Sequence, residues 1–237
     1  MIMFVDTKYR SKDIEIMDDL DMSGELLIRT LDQIASINKW LGGNGLTIDG
    51  IKKILKAQTK DKTINIIDLG CGNGDMLREV AEFGRKNGYQ FELLGLDANQ
   101  ATIDYAISLS SDFQEITYRK EDVLGKEFDS HTYDIALCTL FIHHFEESVA
   151  LGFIQTLMKN AKIGVVINDL HRHRLAYYLF KSLTLIINNH MVKTDGLTSI
   201  LRGFKRKELE QFSEKINGKS SINWRWAFRY QWIINKI

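Results

Sequence analysis

From Ile64 to Asn168, short apolar runs rich in β-branched residues alternate with stretches of helical periodicity. The runs Ile64–Leu69, Phe91–Asp97, Ile116–Arg119, Tyr133–Leu140 and Ile163–Asn168 predict five strands. Between them, Asp75–Lys86, Asn99–Ser108 and Glu146–Asn160 predict helices. Alternation of this kind predicts right-handed βαβ units and a parallel sheet. Upstream, Leu27, Leu31, Ile34 and Leu41 recur at helical spacing. Asp18, Asp19 and Ser23 offer cap oxygens, and Gly42-Gly43 offers a stop. Ile51, Ile54 and Leu55 mark a second, shorter helix. Downstream, 172–189 reads as a long helix, 193–197 as a loop and 205–216 as a helix. The runs 221–229 and 231–237 read as a terminal antiparallel hairpin. The expected organisation is a helical extension over 1–60 and a main domain over 61–237, with an insertion at about 172–204.

The chain has 237 residues, enough for one large α/β domain with a buried core. Hydrophobic residues make up 44% and charged residues 26%, the balance of a soluble globular protein. The opening Met1–Asp6 lacks a basic start and a long apolar core, so no secretory leader is expected there. The most lipid-like window, Leu175–Val192, contains Lys181, Asn188, Asn189 and His190, and is too short and polar to span a bilayer. Two cysteines, Cys71 and Cys138, build no disulfide framework, and a cytoplasmic enzyme is the simplest expectation. The net charge is zero but unevenly spread. From His171 to Ile237 there are 13 basic and 4 acidic residues, leaving 18 and 27 in the first 170. The basic third either faces an anionic partner or neutralises the acidic part of the same domain.

Chemistry enters at Asp68-Leu-Gly-Cys-Gly-Asn-Gly-Asp75, where the first strand meets its helix. Alternate glycines at 70, 72 and 74 allow a tight turn and close approach of a bulky ligand to the backbone. The dinucleotide fingerprint G-x-G-x-x-G/A would need a small residue at position 75, where Asp75 stands. A carboxylate at the helix start repels a pyrophosphate and suits a cationic ligand. The arrangement D-x-G-x-G-x-G resembles motif I of the class I S-adenosylmethionine-dependent methyltransferases, whose cofactor carries a sulfonium and an ammonium and no phosphate.

Further segments carry the same resemblance over roughly residues 60–237. Leu93-Leu-Gly-Leu-Asp97 is similar to the second family motif, in which a carboxylate at the strand tip accepts the ribose hydroxyls. Glu121-Asp122-Val123 is similar to the third, and Tyr133–Leu140 with Phe141-Ile-His-His-Phe145 to the fourth. Ala161-Lys-Ile-Gly164 departs from the usual Lys-Pro-Gly-Gly turn. The chain looks most like the small-molecule methyltransferases related to ubiquinone and menaquinone biosynthesis. The resemblance implies a Rossmann-like seven-stranded sheet, mostly parallel with the last strand antiparallel. It implies S-adenosyl-L-methionine as cofactor, held by Asp68, Gly70, Cys71, Gly72, Gly74, Asp97, Ala98, Asp122, Val123, Cys138 and Thr139. In such proteins the N-terminal helices and the insertion after strand five cover the active site. Small apolar packing is the ordinary role of the two cysteines.

Histidines supply the candidate base. His143 and His144 follow strand four, and His171 and His173 follow strand five. Both places are carboxyl ends of neighbouring parallel strands, where ligands bind in open α/β sheets. His144, then His171 and His143, are the candidate general bases or acceptor-orienting groups. The run His171-Arg-His-Arg174 also reads as a solvated turn opening a helix. A metal site from Asp169, His171 and His143 is conceivable by residue type, but its spacing matches no ligand pattern and methyl transfer needs no metal. No metal is expected. The expected reaction is methyl transfer to a small phenolic, quinol or polyketide-like acceptor, with an anionic one favoured by the basic C-terminal third. The alternatives are a macromolecular acceptor (RNA or protein) and a non-catalytic cofactor-binding module. Nucleic acid is disfavoured because Cys138-Thr-Leu-Phe141 stands in place of an amino-methylation tetrapeptide.

Overall fold

The computed structural model describes residues 5–237; Met1–Phe4, the first part of the segment read as lacking a leader, lie outside them. Strands β1 (Thr63–Leu69), β2 (Gln90–Asp97), β3 (Ile116–Lys120), β4 (Tyr133–Thr139), β5 (Ala161–Leu170), β6 (Lys219–Arg225) and β7 (Arg229–Asn235) form one sheet. Their order is β3-β2-β1-β4-β5-β7-β6. Strands β1 to β5 pair in parallel, and β7 runs antiparallel to both β5 and β6. This is the Rossmann-like methyltransferase sheet that the resemblance implied. The strand order reverses beside β1, so β1 and β4 diverge there and leave a crevice at their carboxyl ends.

Both faces of the sheet are covered, which is why the central strands read as continuous apolar runs. On one face, Ile64 and Ile66 of β1 meet Ile51, Ile54 and Leu55 of α2 (Gly43–Leu55) and Leu77 and Val80 of α3 (Asp75–Asn87). On the other, Ile67 and Leu69 face the layer formed by Phe153, Ile154 and Leu157 from α5 (Glu147–Asn160) and Phe212 from α8 (Arg206–Ser213). Helix α4 (Gln100–Leu109) lies against β2 and β3. The α2 helix sits directly on β5: a Cβ at Gly50 would lie 2.5 Å from Val166 Cγ1. Helix α1 (Glu25–Trp40) precedes it and buries Leu27, Thr30 and Leu31.

Several boundaries differ from the sequence reading. Helix α1 starts after Gly24, whose φ is 85°, and takes no cap from Asp18, Asp19 or Ser23. The long helix expected over 172–189 ends early, as α6 (Arg174–Leu183). The loop expected at 193–197 lies inside α7 (His190–Arg202). Asn189 caps α7 by accepting from the backbone of Met191 and Val192 at 3.0 and 3.3 Å. Gly196 is there for packing, because a Cβ would lie 2.3 Å from Phe180 Cζ on α6. The terminal hairpin is offset from the expected runs, with residues 226–228 forming its turn. No helix among the described residues is long and apolar enough to cross a membrane.

Candidate active site

A cavity of about 850 Å³ opens at the carboxyl ends of β1, β2, β4 and β5. Helix α1 roofs it with Leu27, Leu31 and Ile34, and α6 and α7 close its far side with Leu179, Phe180 and Val192. The roof is pinned to the sheet end by polar contacts. Asn73 Nδ2 donates to Asp32 at 3.1 Å, the Tyr105 hydroxyl donates to the same carboxylate at 2.8 Å, and Asn99 Nδ2 donates to the Met22 carbonyl at 2.7 Å.

The glycine loop forms one end. Gly70, Gly72 and Gly74 all have positive φ, from 53° to 76°, which an L side chain rarely adopts. Each serves differently. A Cβ at Gly70 would strike Phe141 at 2.2 Å, and one at Gly74 would strike the Tyr118 hydroxyl at 2.1 Å. A Cβ at Gly72 would meet only Leu31, at 3.7 Å. Gly70, Cys71 and Gly72 line the cavity, whereas Gly74 is the N-cap of α3 packed under Tyr118.

Carboxylates crowd this end. Asp97 at the tip of β2 accepts from Gly72 N at 3.3 Å and from Asn99 N at 3.0 Å. Burial raises its pKa, and the two backbone bonds only partly counter this. Asp68 is buried, and burial followed by repulsion from Asp75 and Asp97 pushes its carboxyl well above the usual range. Asn44 Nδ2 donates to Asp75 at 2.8 Å. Ala98, Asp122, Val123 and Thr139 also line the cavity. The Thr139 hydroxyl lies 2.9 Å from that of Thr47 on α2. Cys138, placed with the cofactor residues on sequence, has its side chain in the opposite-face core, because alternation along β4 turns it away from Thr139. Its thiol and that of Cys71 are raised far above the normal range, chiefly by burial, so neither is a thiolate at neutral pH.

The other end is built from histidines and carboxylates. His143 Nδ1 lies 2.7 Å from Asp169 Oδ1, and His144 Nδ1 lies 2.7 Å from Asp18 Oδ1. The rings are 4.3 Å apart between centroids. His143 Nε2 points to Glu15 Oε1 at 3.6 Å, an oxygen that is buried without a hydrogen-bond partner. Burial raises the Glu15 carboxyl. Burial pushes Asp18 and Asp169 the same way, but contacts from His144 and Arg202 on one and from His143 on the other reverse this, and both end below the usual carboxylate range. Glu15, His143 and His144 present ligand atoms within 4.8 Å of one another. The conceivable metal trio named on sequence is not assembled: His171 stands apart, with its Nδ1 accepting from Trp224 Nε1 at 3.2 Å. Burial, then His173 and Arg172, lower the His171 pKa to about 4, so the ring is neutral at pH 7. His173 caps α6, its Nδ1 accepting from Leu175 N at 3.1 Å. The backbone strains where the two ends meet: Leu140, after β4, has φ 54°.

Sequence reasoning missed Glu15, Asp18, Asp195 and Arg202. Asp195 accepts from Ile16 N and Met17 N at 2.9 and 3.0 Å and so holds the Glu15–Asp18 segment over the site. Arg202 Nη1 donates to Asp18 at 2.8 Å. An arginine inside the expected insertion, Arg202, was the one signal the sequence offered. Arg10 donates to the carbonyls of His143 and Phe145 at 2.8 and 2.9 Å, whereas Tyr9 is exposed.

The cavity fits S-adenosylmethionine on the structure's own terms. Asp68 is raised by desolvation and then by repulsion from Asp75 and Asp97, and Asp97 is raised by desolvation that its backbone donors and His144 only partly offset. A sulfonium and an ammonium would relieve both, and Gly70, Cys71 and Gly72 line the cavity beside them.

Comparison with known proteins agrees. Residues 66–164 match the family described as "Methyltransferase domain". Over 132 residues the chain is 28% identical to a ubiquinone biosynthesis O-methyltransferase of Rickettsia bellii (strain OSU 85-389), covering 54% of this chain and 51% of that protein. The chain spans about half the length of the curated relatives it matches. Among solved structures, the plantazolicin methyltransferase BpumL in complex with SAH superposes with a TM-score of 0.67 at 15% identity, over 88% of this chain and 90% of that one. The magnesium protoporphyrin IX methyltransferase ChlM of Synechocystis PCC 6803, with bound SAM, superposes with a TM-score of 0.58 at 11% identity, over 86% and 84%. Residues 66–164 are thus similar to a methyltransferase domain, and the sheet that carries them has the fold of the solved methyltransferases.

Proposed function

We propose that the protein transfers a methyl group from S-adenosylmethionine to a small, largely apolar acceptor, most simply to the oxygen of a phenol or quinol. The observation that carries this reading is the single cavity joining the glycine–carboxylate end to the histidine–carboxylate end. The cofactor supplies an electrophilic methyl on a sulfonium; the chain's own residues align, desolvate and deprotonate. In this reading Asp97 takes the ribose hydroxyls, Asp122 and Val123 the adenine, and Asp68 with the Gly70–Gly72 turn the amino-acid end. Leu179, Phe180 and Val192 exclude water around the acceptor.

His144 is the preferred base. A carboxylate on Nδ1 fixes the ring and leaves Nε2 for the acceptor proton. His143 has the same pairing with Asp169, but it is buried and its Nε2 faces Glu15, so it orients rather than exchanges protons with a ligand. His171, neutral and accepting from Trp224, lines the acceptor region. An anionic acceptor and an O-methyl product are the finer parts of the proposal. The name of the Rickettsia relative and the basic C-terminal third support them.

The test is incubation with methyl-labelled S-adenosylmethionine and parallel panels of phenols, carboxylated phenols, short peptides and RNA. Label is expected in phenolic products, with turnover of carboxylated members higher at low salt. Label in RNA or peptide and in no phenol would replace this reading with a macromolecular one.

A further inference from the structure

Arg229 is the first residue of β7, set opposite Leu170 at the end of β5, and it lines the cavity. Its side chain is buried, with the residue only 3% exposed, yet Nε and Nη1 have no hydrogen-bond partner. Buried guanidinium groups are normally paired, because a charge taken out of water without a partner is strongly destabilising. The neighbours are accounted for elsewhere. Asp169 is the nearby opposite charge, but His143 Nδ1 and Leu170 N already donate to its Oδ1 at 2.7 Å each, and His143 N to its Oδ2 at 3.2 Å. Gln231, two residues on and on the same sheet face, is bound to Lys53, to the Leu46 carbonyl and to Asp49.

Room has been left around the guanidinium. A Cβ at Gly43 would lie 3.0 Å from Arg229 Nη1 and 1.8 Å from Asn38 Oδ1. The glycine at the start of α2 therefore clears the space these two groups occupy. Asn38 Oδ1 also lacks a partner, and a small shift that paired it with Arg229 would take one N–H and none of the charge. Burial lowers the arginine only to about 10, so it stays cationic at neutral pH. At the acceptor end of the cavity Asp18 and Asp195 are already bound, by His144 and Arg202 and by the Ile16 and Met17 amides. Glu15 accepts from the Ser199 hydroxyl through Oε2, and its otherwise unpartnered Oε1 faces His143 Nε2 at 3.6 Å, so the charge left there without an opposite neighbour of its own is that of Arg229.

We propose that Arg229 is a carboxylate-binding subsite of the cavity, whose planar N–H fork pairs with an anionic ligand oxygen pair. This rests on the methyl-transfer reading. Two ligands bring a carboxylate to the cavity: the cofactor, through its amino-acid end, and an acidic acceptor. Pairing either one satisfies the buried fork and removes the cost of leaving it alone.

The experiment compares wild type with Arg229→Met and Arg229→Lys by calorimetry and thermal melting. The probes are S-adenosylhomocysteine, 5′-methylthioadenosine (which has no carboxylate) and benzoate. If the fork holds the cofactor, Arg229→Met weakens S-adenosylhomocysteine by about 10- to 100-fold and leaves methylthioadenosine unchanged. If it holds the acceptor, both nucleosides bind as before and the benzoate-induced rise in Tm disappears. Either result supports the subsite. In both, ligand-free Arg229→Met melts at or above the wild-type temperature, because an unpaired buried charge has been removed. Arg229→Lys, which keeps the charge and loses the fork, is expected to fall between wild type and Met, and stands in if Met does not fold. A Met variant that binds all three probes as wild type does, or that only melts lower, would make Arg229 a structural residue and overturn the proposal. Failure of wild type to bind S-adenosylhomocysteine would instead strike the methyl-transfer reading, and the benzoate arm would still test the fork.

Discussion

His144 Nδ1 lies 2.7 Å from the carboxylate of Asp18, a residue 126 positions earlier in the chain. Arg202 bridges the pair from a third segment, donating to Asp18 Oδ2 at 2.8 Å and to the carbonyls of His143 and His144. The N-terminal segment therefore completes the site: its carboxylate sets which nitrogen of His144 faces the cavity.

Replacing Asp18 by Asn is expected to lower kcat by about 10- to 100-fold while the affinity for S-adenosylhomocysteine stays within a factor of about two, as for a residue that positions the base. The pH dependence of stability supplies a second readout. Asp18 is held below its unfolded pKa, so its stabilisation is present above about pH 4 and is lost as pH falls through the depressed folded value. The urea midpoint of Asp18→Asn should lie below wild type at pH 7, and the gap should begin to narrow as pH falls below 4 toward 3. A constant gap across that range would mean that the carboxylate charge is not what stabilises the contact.

The histidines separate by environment. His144→Ala should reduce kcat by roughly 10²–10⁴ with cofactor binding intact. His171 has a pKa near 4 and accepts from Trp224, so it does not titrate between pH 5.5 and 8. His171→Gln should leave the shape of the pH–rate profile in that window unchanged and should act mainly on the acceptor KM. A changed pH–rate profile in His171→Gln between pH 5.5 and 8 would reverse the assignment of the two rings.

These residues differ in how far the sequence exposes them. The Asp68–Asp75 loop, Asp97 and Asp122 are legible because each sits at a strand end and its spacing is local. Asp18 reads on sequence as a helix cap, since nothing periodic marks a carboxylate that reaches a loop 126 residues away. Arg229 reads as the end of a strand; only the β5–β7 register turns it inward. The α7 helix was hidden by Lys193-Thr-Asp-Gly-Leu197, which has the composition of a loop, while the fit of Phe180 on Gly196 is a tertiary fact.

That fit is testable. In Gly196→Ala the new methyl would lie 2.3 Å from Phe180 Cζ, so α6 and α7 must separate or the ring must turn. The cost should be about 1–3 kcal/mol, typical of overpacking, despite the higher helix propensity of alanine. Because Phe180 lines the acceptor end of the cavity, the acceptor KM should change while S-adenosylhomocysteine binding does not. A variant at least as stable as wild type would mean that the two helices are not closely packed there.

The acidic end of the cavity makes a prediction of opposite sign to that for Asp18. Asp68 and Asp97 have folded pKa values above their unfolded ones, from burial and, for Asp68, from repulsion by Asp75 and Asp97. Their stabilising contribution is therefore present below about pH 4 and is lost as pH rises through the raised folded values. Ligand-free protein should lose stability from these groups on going from pH 5 to pH 8. Asp68→Asn should remove part of that loss and melt higher than wild type at pH 8. A bound cation reverses the balance, because it favours the ionised carboxylates. The rise in Tm produced by saturating S-adenosylmethionine should accordingly grow between pH 5 and pH 8 in wild type. It should shrink in Asp68→Asn, which is expected to bind the cofactor about 10-fold or more weakly through loss of a charge-assisted contact. Calorimetry in buffers of different ionisation enthalpy should detect proton release on binding near pH 6. A ligand-induced Tm shift that is flat from pH 5 to pH 8, with no proton release, would show that these carboxylates are already ionised in the ligand-free protein and that their crowding is not what selects a cationic cofactor.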